Sequence, residues 1–316
     1  MLRLMLDCAR IAEEFGLGPP LGVTPLAGGH PDVTRLTTAR GTFVVKPAYD
    51  TARAELYELA ARALSAAGIR QAQPLRTTAG SLASESGHTV QEFLPGRICL
   101  QPTKAQTAAT MRHLGAYHAA LGQVPVPAEL HAARTVWDRV ASAEYLVTAL
   151  PGLLRSHGPP GSPGQHDMIL AALGQVELAL PQMRQLPRQL VHGDIAPDNV
   201  LMHGSDVVAI IDFTPFFQPV LFAVATAVYW YHVHGRRRLD PAGIRASLAT
   251  AGPRPWTTAE RQAWPAMLAR EALRRLATPL ALAAQTGAGP PARTGARYRA
   301  VLSIMDSWPQ LAALSR

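Results

Sequence analysis

Leu190-Val-His-Gly-Asp-Ile-Ala-Pro-Asp-Asn-Val-Leu201, with Val207-Val-Ala-Ile-Ile-Asp-Phe213 close behind it, decides the fold. Apolar Leu190-Val191 runs into a polar loop, His192-Gly193-Asp194. Asn199 follows on the same loop, just before apolar Val200-Leu201. A second apolar strand, Val207 to Ile211, ends in Asp212. The turn His203-Gly204-Ser205 between them predicts a hairpin. That hairpin brings Asp194, Asn199 and Asp212 to one end of a small sheet.

Two carboxylates and an amide gathered in this way suit phosphoryl transfer. One carboxylate must accept a hydroxyl proton and aim the nucleophile, and Asp194 fits that task. Two further oxygen ligands must hold Mg²⁺ against the phosphates, and Asn199 with Asp212 fit that one. Magnesium prefers a few such oxygens and takes the rest of its shell from phosphate and water.

The surrounding chain divides in two. Residues 1–20 read as a short helix with Leu4, Cys8, Ile11, Ala12 and Phe15 on one face. Short β-compatible runs follow at Val23–Leu26, Val33–Thr37 and Thr42–Lys46, then a helix over Thr51–Ala67. Further strand-like pieces lie near Gln73–Arg76, Ser81–Ser84 and Thr89–Phe93. Beyond Leu94-Pro95-Gly96 the pattern turns helical, over Thr103–Leu121, Ala133–Leu150 and Asp167–Gln185 and again from 220 to the end. The expected fold class is α+β and two-lobed. Residues 1–94 form a small β-sheet lobe for nucleotide, and 95–316 form a larger, mainly helical lobe for catalysis and acceptor binding.

The quoted run resembles the HGDxxxxN and IDF motifs of the aminoglycoside phosphotransferase and choline kinase family, relatives of the protein kinases. The resemblance covers roughly residues 21–235. It implies a protein-kinase-like fold, ATP or GTP as phosphate donor and Mg²⁺ as cofactor. Asp194 is then the catalytic base, His192 braces its loop, and Asn199 and Asp212 bind metal. Lys46, one of only two lysines in the chain, falls at the end of the third strand, where the family's lysine meets phosphate. Its expected partner is a helix glutamate, Glu55 in preference to Glu58. Gly28-Gly29 would let backbone approach the phosphates, and backbone groups from Glu92 to Leu94 would meet adenine. His118 reads as core packing. Two departures stand out: Gln218 and Phe222 occupy positions where the family commonly carries acids, which leaves open how the catalytic loop is braced.

Composition narrows the partners. The chain has 316 residues, a net charge of +8 and nearly half its residues apolar. Almost all the basic residues are scattered arginines without interleaved aromatics, Arg236-Arg237-Arg238 excepted, so nucleic acid is not expected. No secretory signal and no membrane-length apolar run is read, and Cys8 and Cys99 form no metal or disulfide pattern. A cytoplasmic address is expected. After Phe213 there are four acids, Asp240, Glu260, Glu271 and Asp306, against thirteen arginines. That disfavours a polycationic aminoglycoside acceptor. Three functions remain: a kinase for a hydroxyl of a sugar, amino alcohol or homoserine-like molecule; a Ser/Thr peptide kinase resembling the separate kinase subunits of split lanthipeptide-type synthetases, working with a partner lyase; or a non-catalytic nucleotide-binding scaffold.

Overall fold

The computed structural model describes residues 2–26, 33–48, 51–131, 136–158, 163–236, 238–287 and 294–315. The chain opens with α1 (Leu2–Glu14), β1 (Pro20–Pro25), β2 (Thr34–Thr38), β3 (Gly41–Pro47), α2 (Thr51–Ala66) and β4 (His88–Glu92). Then come β5 (Arg97–Ile98), α3 (Lys104–Leu121), α4 (Val136–Val140), α5 (Ala143–His157) and α6 (Pro163–Gln185). Four short strands follow, β6 (Arg188–His192), β7 (Val200–His203), β8 (Asp206–Ile210) and β9 (Pro215–Pro219). The remainder is α7 (Val220–Val228), α8 (Pro241–Ala251), α9 (Thr258–Thr286), α10 (Thr294–Asp306) and α11 (Trp308–Ala313).

The first four strands form one antiparallel sheet in the order β1-β2-β3-β4. Alternation decides its faces. Leu36, Phe43, Val45 and Val90 point to one side, where Cys8, Ile11 and Ala12 of α1 and Phe15 just after it cover them. The pieces expected as strands at 73–76 and 81–84 are not strands. Pro74 makes a single bridge to Gln91, and Thr77 closes a tight turn onto Ser81. Proline cannot donate to a ladder, so pairing stops there.

The helical lobe is built around α9. This 29-residue helix is buried on nearly every side, with Trp264, Met267, Leu268, Leu273 and Leu276 all sealed from solvent. It forms the centre of the lobe with most of its charged residues enclosed, and α5, α6, α7 and α10 pack on it. Its start is fixed by a capping box, in which Thr257 and Glu260 satisfy each other's backbone N–H. The single helix expected over 133–150 is interrupted. Ser142 Oγ accepts from Tyr145 N at 3.3 Å, so α4 stops at Val140 and α5 starts afresh. The apolar run after residue 219 is the fully buried α7, followed by a π-helical turn, Tyr229–Val233. Among the described residues no helix is long and apolar enough to cross a membrane. Cys8 and Cys99 are free thiols.

Strands β7 and β8 form the expected hairpin, Val200 opposite Ile210, with β5 added on its edge. A strand that the sequence did not announce, β9, pairs antiparallel with β6, Leu190 opposite Phe217 and His192 opposite Pro215. This pairing sets the start of the polar loop beside the segment that follows Asp212.

Candidate functional site

His192 is sealed in the junction between β6 and the hairpin. Its Nδ1 accepts from the amides of Asp194 (3.1 Å) and Thr214 (3.4 Å). With Nδ1 as acceptor, Nε2 carries the proton and donates to Ile211 O at 3.2 Å. Burial pushes the imidazole below its ordinary pKa, which keeps it neutral. One ring thus ties the start of the loop to the end of β8. Asn199 adds a second tie: its Nδ2 donates to Asp194 O at 2.8 Å, which turns Oδ1 away as a free acceptor, and its own carbonyl accepts from Ile211 N. Gly193 between them has no room for a side chain, since a Cβ there would lie 2.0 Å from the Phe216 ring.

Asp212 is the one non-glycine residue at positive φ among those described, at 53°. Its Oδ1 lies 3.1 Å from Lys46 Nζ on β3. The Lys46 ammonium also lies 5.6 Å above the Tyr57 ring, which stacks on Phe213 at 5.9 Å. Neither of the expected glutamates reaches Lys46. Glu55 is exposed, and Glu58 pairs with Arg76 (2.6 Å) and Arg62 (3.0 Å). The phase of α2 turns Leu56, Tyr57 and Ala60 inward, so an aromatic ring stands where a carboxylate was expected. Gly28 and Gly29 lie outside the described residues. In the lobe connector the Glu92 side chain is exposed and its amide donates to Gln73 O, while Phe93 N donates to Thr42 O. Leu94 is buried beside Ala72, Leu201 and Ala209.

Two residues that no motif announced, Arg274 and Arg275 of α9, grip the same loop. Arg275 Nη2 donates to Asp194 Oδ1 at 2.7 Å and Arg274 Nη2 to Gly193 O at 3.0 Å. Both guanidiniums are held by Glu271, fully buried, with each Nε at 2.7 Å from its carboxylate. Burial alone would raise the Asp194 carboxyl, but the Arg275 and Arg274 charges outweigh it and hold it below its usual range. The positions where acids were expected also meet α9. Gln218 Oε1 accepts from Arg270 Nη2 at 3.1 Å, and the Phe222 ring lies under Arg270 (4.8 Å) and Arg274 (5.2 Å). Arg270 further donates to Ala141 O. The one signal in sequence was Glu271 itself, a rare acid in that region with arginine just before it and at i+3 and i+4.

Lys46, Asp194, Asp212, Arg274 and Arg275 all line one cavity of about 440 Å³ between the sheet and the helical lobe. No group of three or more His, Cys, Asp and Glu side chains converges among the described residues. Of the two expected metal ligands, the Asp212 carboxylate lines the cavity, while buried Asn199 is not among its lining residues; together they would offer two oxygens. That is a hard-oxygen set which fits Mg²⁺ completed by phosphate and water.

The model of the phosphotransferase enzyme family matches residues 22–264. Homoserine kinase of Gluconacetobacter diazotrophicus is 33% identical over 218 residues, covering 67% of this chain and 62% of that protein. Homoserine kinase of Methylobacillus flagellatus is 41% identical over 93 residues, 29% of each. The chain therefore spans less than two thirds of the length of these curated relatives. Among solved structures, a choline/ethanolamine kinase family protein from Mesorhizobium loti superposes with a TM-score of 0.68 at 17% identity over 99% of both chains. Amicoumacin kinase hAmiN, solved with AMP-PNP, Ca²⁺ and Ami, superposes with a TM-score of 0.65 at 18% identity over 96% of both. The shared architecture is the two-lobed, kinase-like α+β fold.

Proposed function

We propose, from the premise that this chain belongs to the phosphotransferase enzyme family, that it transfers the γ-phosphate of ATP or GTP to a hydroxyl group of a small molecule. The observation that carries this reading is the convergence of Lys46, Asp194 and Asp212 on one cavity, with Asn199 tied to the Asp194 backbone.

The roles follow from what each group can do. The acceptor hydroxyl donates its proton to the Asp194 carboxylate as its oxygen attacks the γ-phosphorus, and the bond to the β,γ-bridging oxygen breaks. Arg275 fixes the carboxylate in place and His192 fixes the loop. Lys46 meets the donor phosphates, with Gly28 and Gly29 assigned to the covering loop on sequence grounds. Asn199 and Asp212 would hold Mg²⁺, which when bound neutralises phosphate charge. The amides of Glu92 and Phe93 are already taken, so among the backbone groups of the connector the Leu94 N–H is offered to a purine base. The lobe boundary is set near residue 94.

A small acceptor is favoured over a peptide. The cavity is of ligand size, and homoserine kinases are among the curated relatives. The test is a γ-labelled nucleotide screen with Mg²⁺ over L-homoserine, sugars, amino alcohols, aminoglycosides and Ser/Thr peptides. Label transferred to a small hydroxyl compound is the expected result. Label on peptides alone would replace the acceptor, and no label with no nucleotide binding would end the reading.

A further inference from the structure

Two arginines of α9 reach the cavity wall with N–H donors to spare. Arg274 and Arg275 are matched in charge by Glu271 and Asp194, while Arg270 lies apart, lining a second pocket with Glu144. Arg274 and Arg275 make their hydrogen bonds through Nε and Nη2; among the described residues Nη1 of each has no partner. Neither Nη1 is among the buried, unpartnered atoms, and both side chains line the cavity, so these N–H groups open onto it.

The placement matters as much as the open donors. Arg275 already touches the Asp194 carboxylate with Nη2. A guanidinium fixes its two terminal nitrogens side by side, so an anion bound at Nη1 lies within a few ångström of the carboxylate that would receive a hydroxyl proton. A molecule touching both is short and has a hydroxyl at one end and an anion at the other. The acids of the C-terminal region leave a cationic acceptor little to bind: Glu260 is paired with Arg254, Glu271 is enclosed, and Asp240 caps α8.

We infer that Arg274 and Arg275 form an anion subsite for the acceptor, which is a small alcohol carrying a carboxylate or phosphate group. This rests on the phosphotransfer reading in that Asp194 faces the acceptor hydroxyl. Binding is measured by calorimetry in the presence of Mg²⁺ and a non-hydrolysable ATP analogue. The matched probes are L-homoserine against its amide, 4-hydroxybutyrate against 1,4-butanediol, and glycerol 3-phosphate against glycerol. The anionic member of at least one pair is expected to bind at least about tenfold more tightly, and the pair that responds tells carboxylate from phosphate. Arg275→Gln is expected to collapse that ratio towards one, while Arg275→Lys retains part of it. A nucleotide-induced rise in melting temperature in both variants reports that the fold and donor site persist. Equal binding within every pair, no binding of any anionic member, or an unchanged ratio in Arg275→Gln would each overturn the subsite. Failure of the phosphotransfer reading looks different: Arg275-dependent binding of the anion with no labelled product.

Discussion

Lys46 Nζ lies 3.1 Å from Asp212 Oδ1, across 166 positions of sequence, and the aspartate that meets it has a left-handed backbone. An L-residue at φ 53° is held there against about 1 kcal/mol or more of strain. The strain turns the chain out of β8 and aims the carboxylate into the cavity. The contact itself contributes little to stability, since more than half of the Asp212 side chain is exposed. The conformation makes sense as a device for presenting an oxygen.

Stability and function should therefore separate at this position. Asp212→Gly relieves the backbone strain and is expected to leave the nucleotide-free protein as stable or more stable, by up to about 1 kcal/mol. The same change is expected to weaken Mg²⁺-nucleotide binding by tenfold or more. Urea denaturation reads the first and a thermal-shift titration with Mg²⁺-ATP reads the second. Unaltered nucleotide affinity would remove Asp212 as a metal ligand.

Asp194→Asn keeps an oxygen for Arg275 and leaves the His192 and Asn199 ties to its backbone intact. Nucleotide binding is expected to persist. Phosphoryl transfer is expected to fall by about 10² to 10⁴, the usual worth of a positioned base. Single-turnover measurement with excess enzyme isolates that step, and a rate equal to wild type would exclude Asp194 as the proton acceptor.

These two residues were legible because each is a polar side chain isolated between apolar strands. Lys46 was legible because lysine is almost absent from the chain. Tyr57 was not: apolar residues occur all around α2, so its pattern does not fix which side faces β3, and one residue of phase exchanges a glutamate for an aromatic ring. Strand β9 was hidden because Pro215-Phe-Phe-Gln-Pro219 does not alternate and its partner, β6, lies far back in sequence. The role of α9 was hidden for a deeper reason. Arg270-Glu-Ala-Leu-Arg-Arg275 has the i,i+3 and i,i+4 charge pairs of an exposed helix. Only the packing of several other helices around it makes those charges buried, and that is a property of the whole lobe.

Buried histidines give the stability a pH dependence separate from that of the carboxylates. Burial pushes His118 down to about 3, and His192, His113 and His232 also fall below their ordinary value. Below about pH 6.5 the unfolded chain takes up protons there that the folded chain refuses. Stability is then full above about pH 6.5 and falls as the pH drops towards 3. Each such histidine contributes a slope of about 1.4 kcal/mol per pH unit once its unfolded form is fully protonated. The paired carboxylates join only below about pH 4.5. Denaturation midpoints between pH 7 and 5 should fall for the wild type and fall less steeply for His118→Leu. Parallel curves would show that His118 is protonated in the folded protein.

Glu271 is the residue on which the loop brace depends. It is fully buried and holds Arg274 and Arg275, which in turn hold Gly193 O and the Asp194 carboxylate. Glu271→Gln removes the central charge and leaves Arg274 and Arg275 with one carboxylate, Asp194. The expected loss is about 3–5 kcal/mol, the usual cost of breaking a buried pair from one side. Arg274→Met removes one positive charge and leaves Glu271 paired with Arg275, so its loss should be smaller. The double replacement Glu271→Leu with Arg274→Met takes out a matched pair and should be more stable than Glu271→Gln alone. Urea midpoints at constant m-value compare the three. A Glu271→Gln midpoint close to wild type would mean that the carboxylate does not carry the brace, and the arginines must then be balanced from elsewhere.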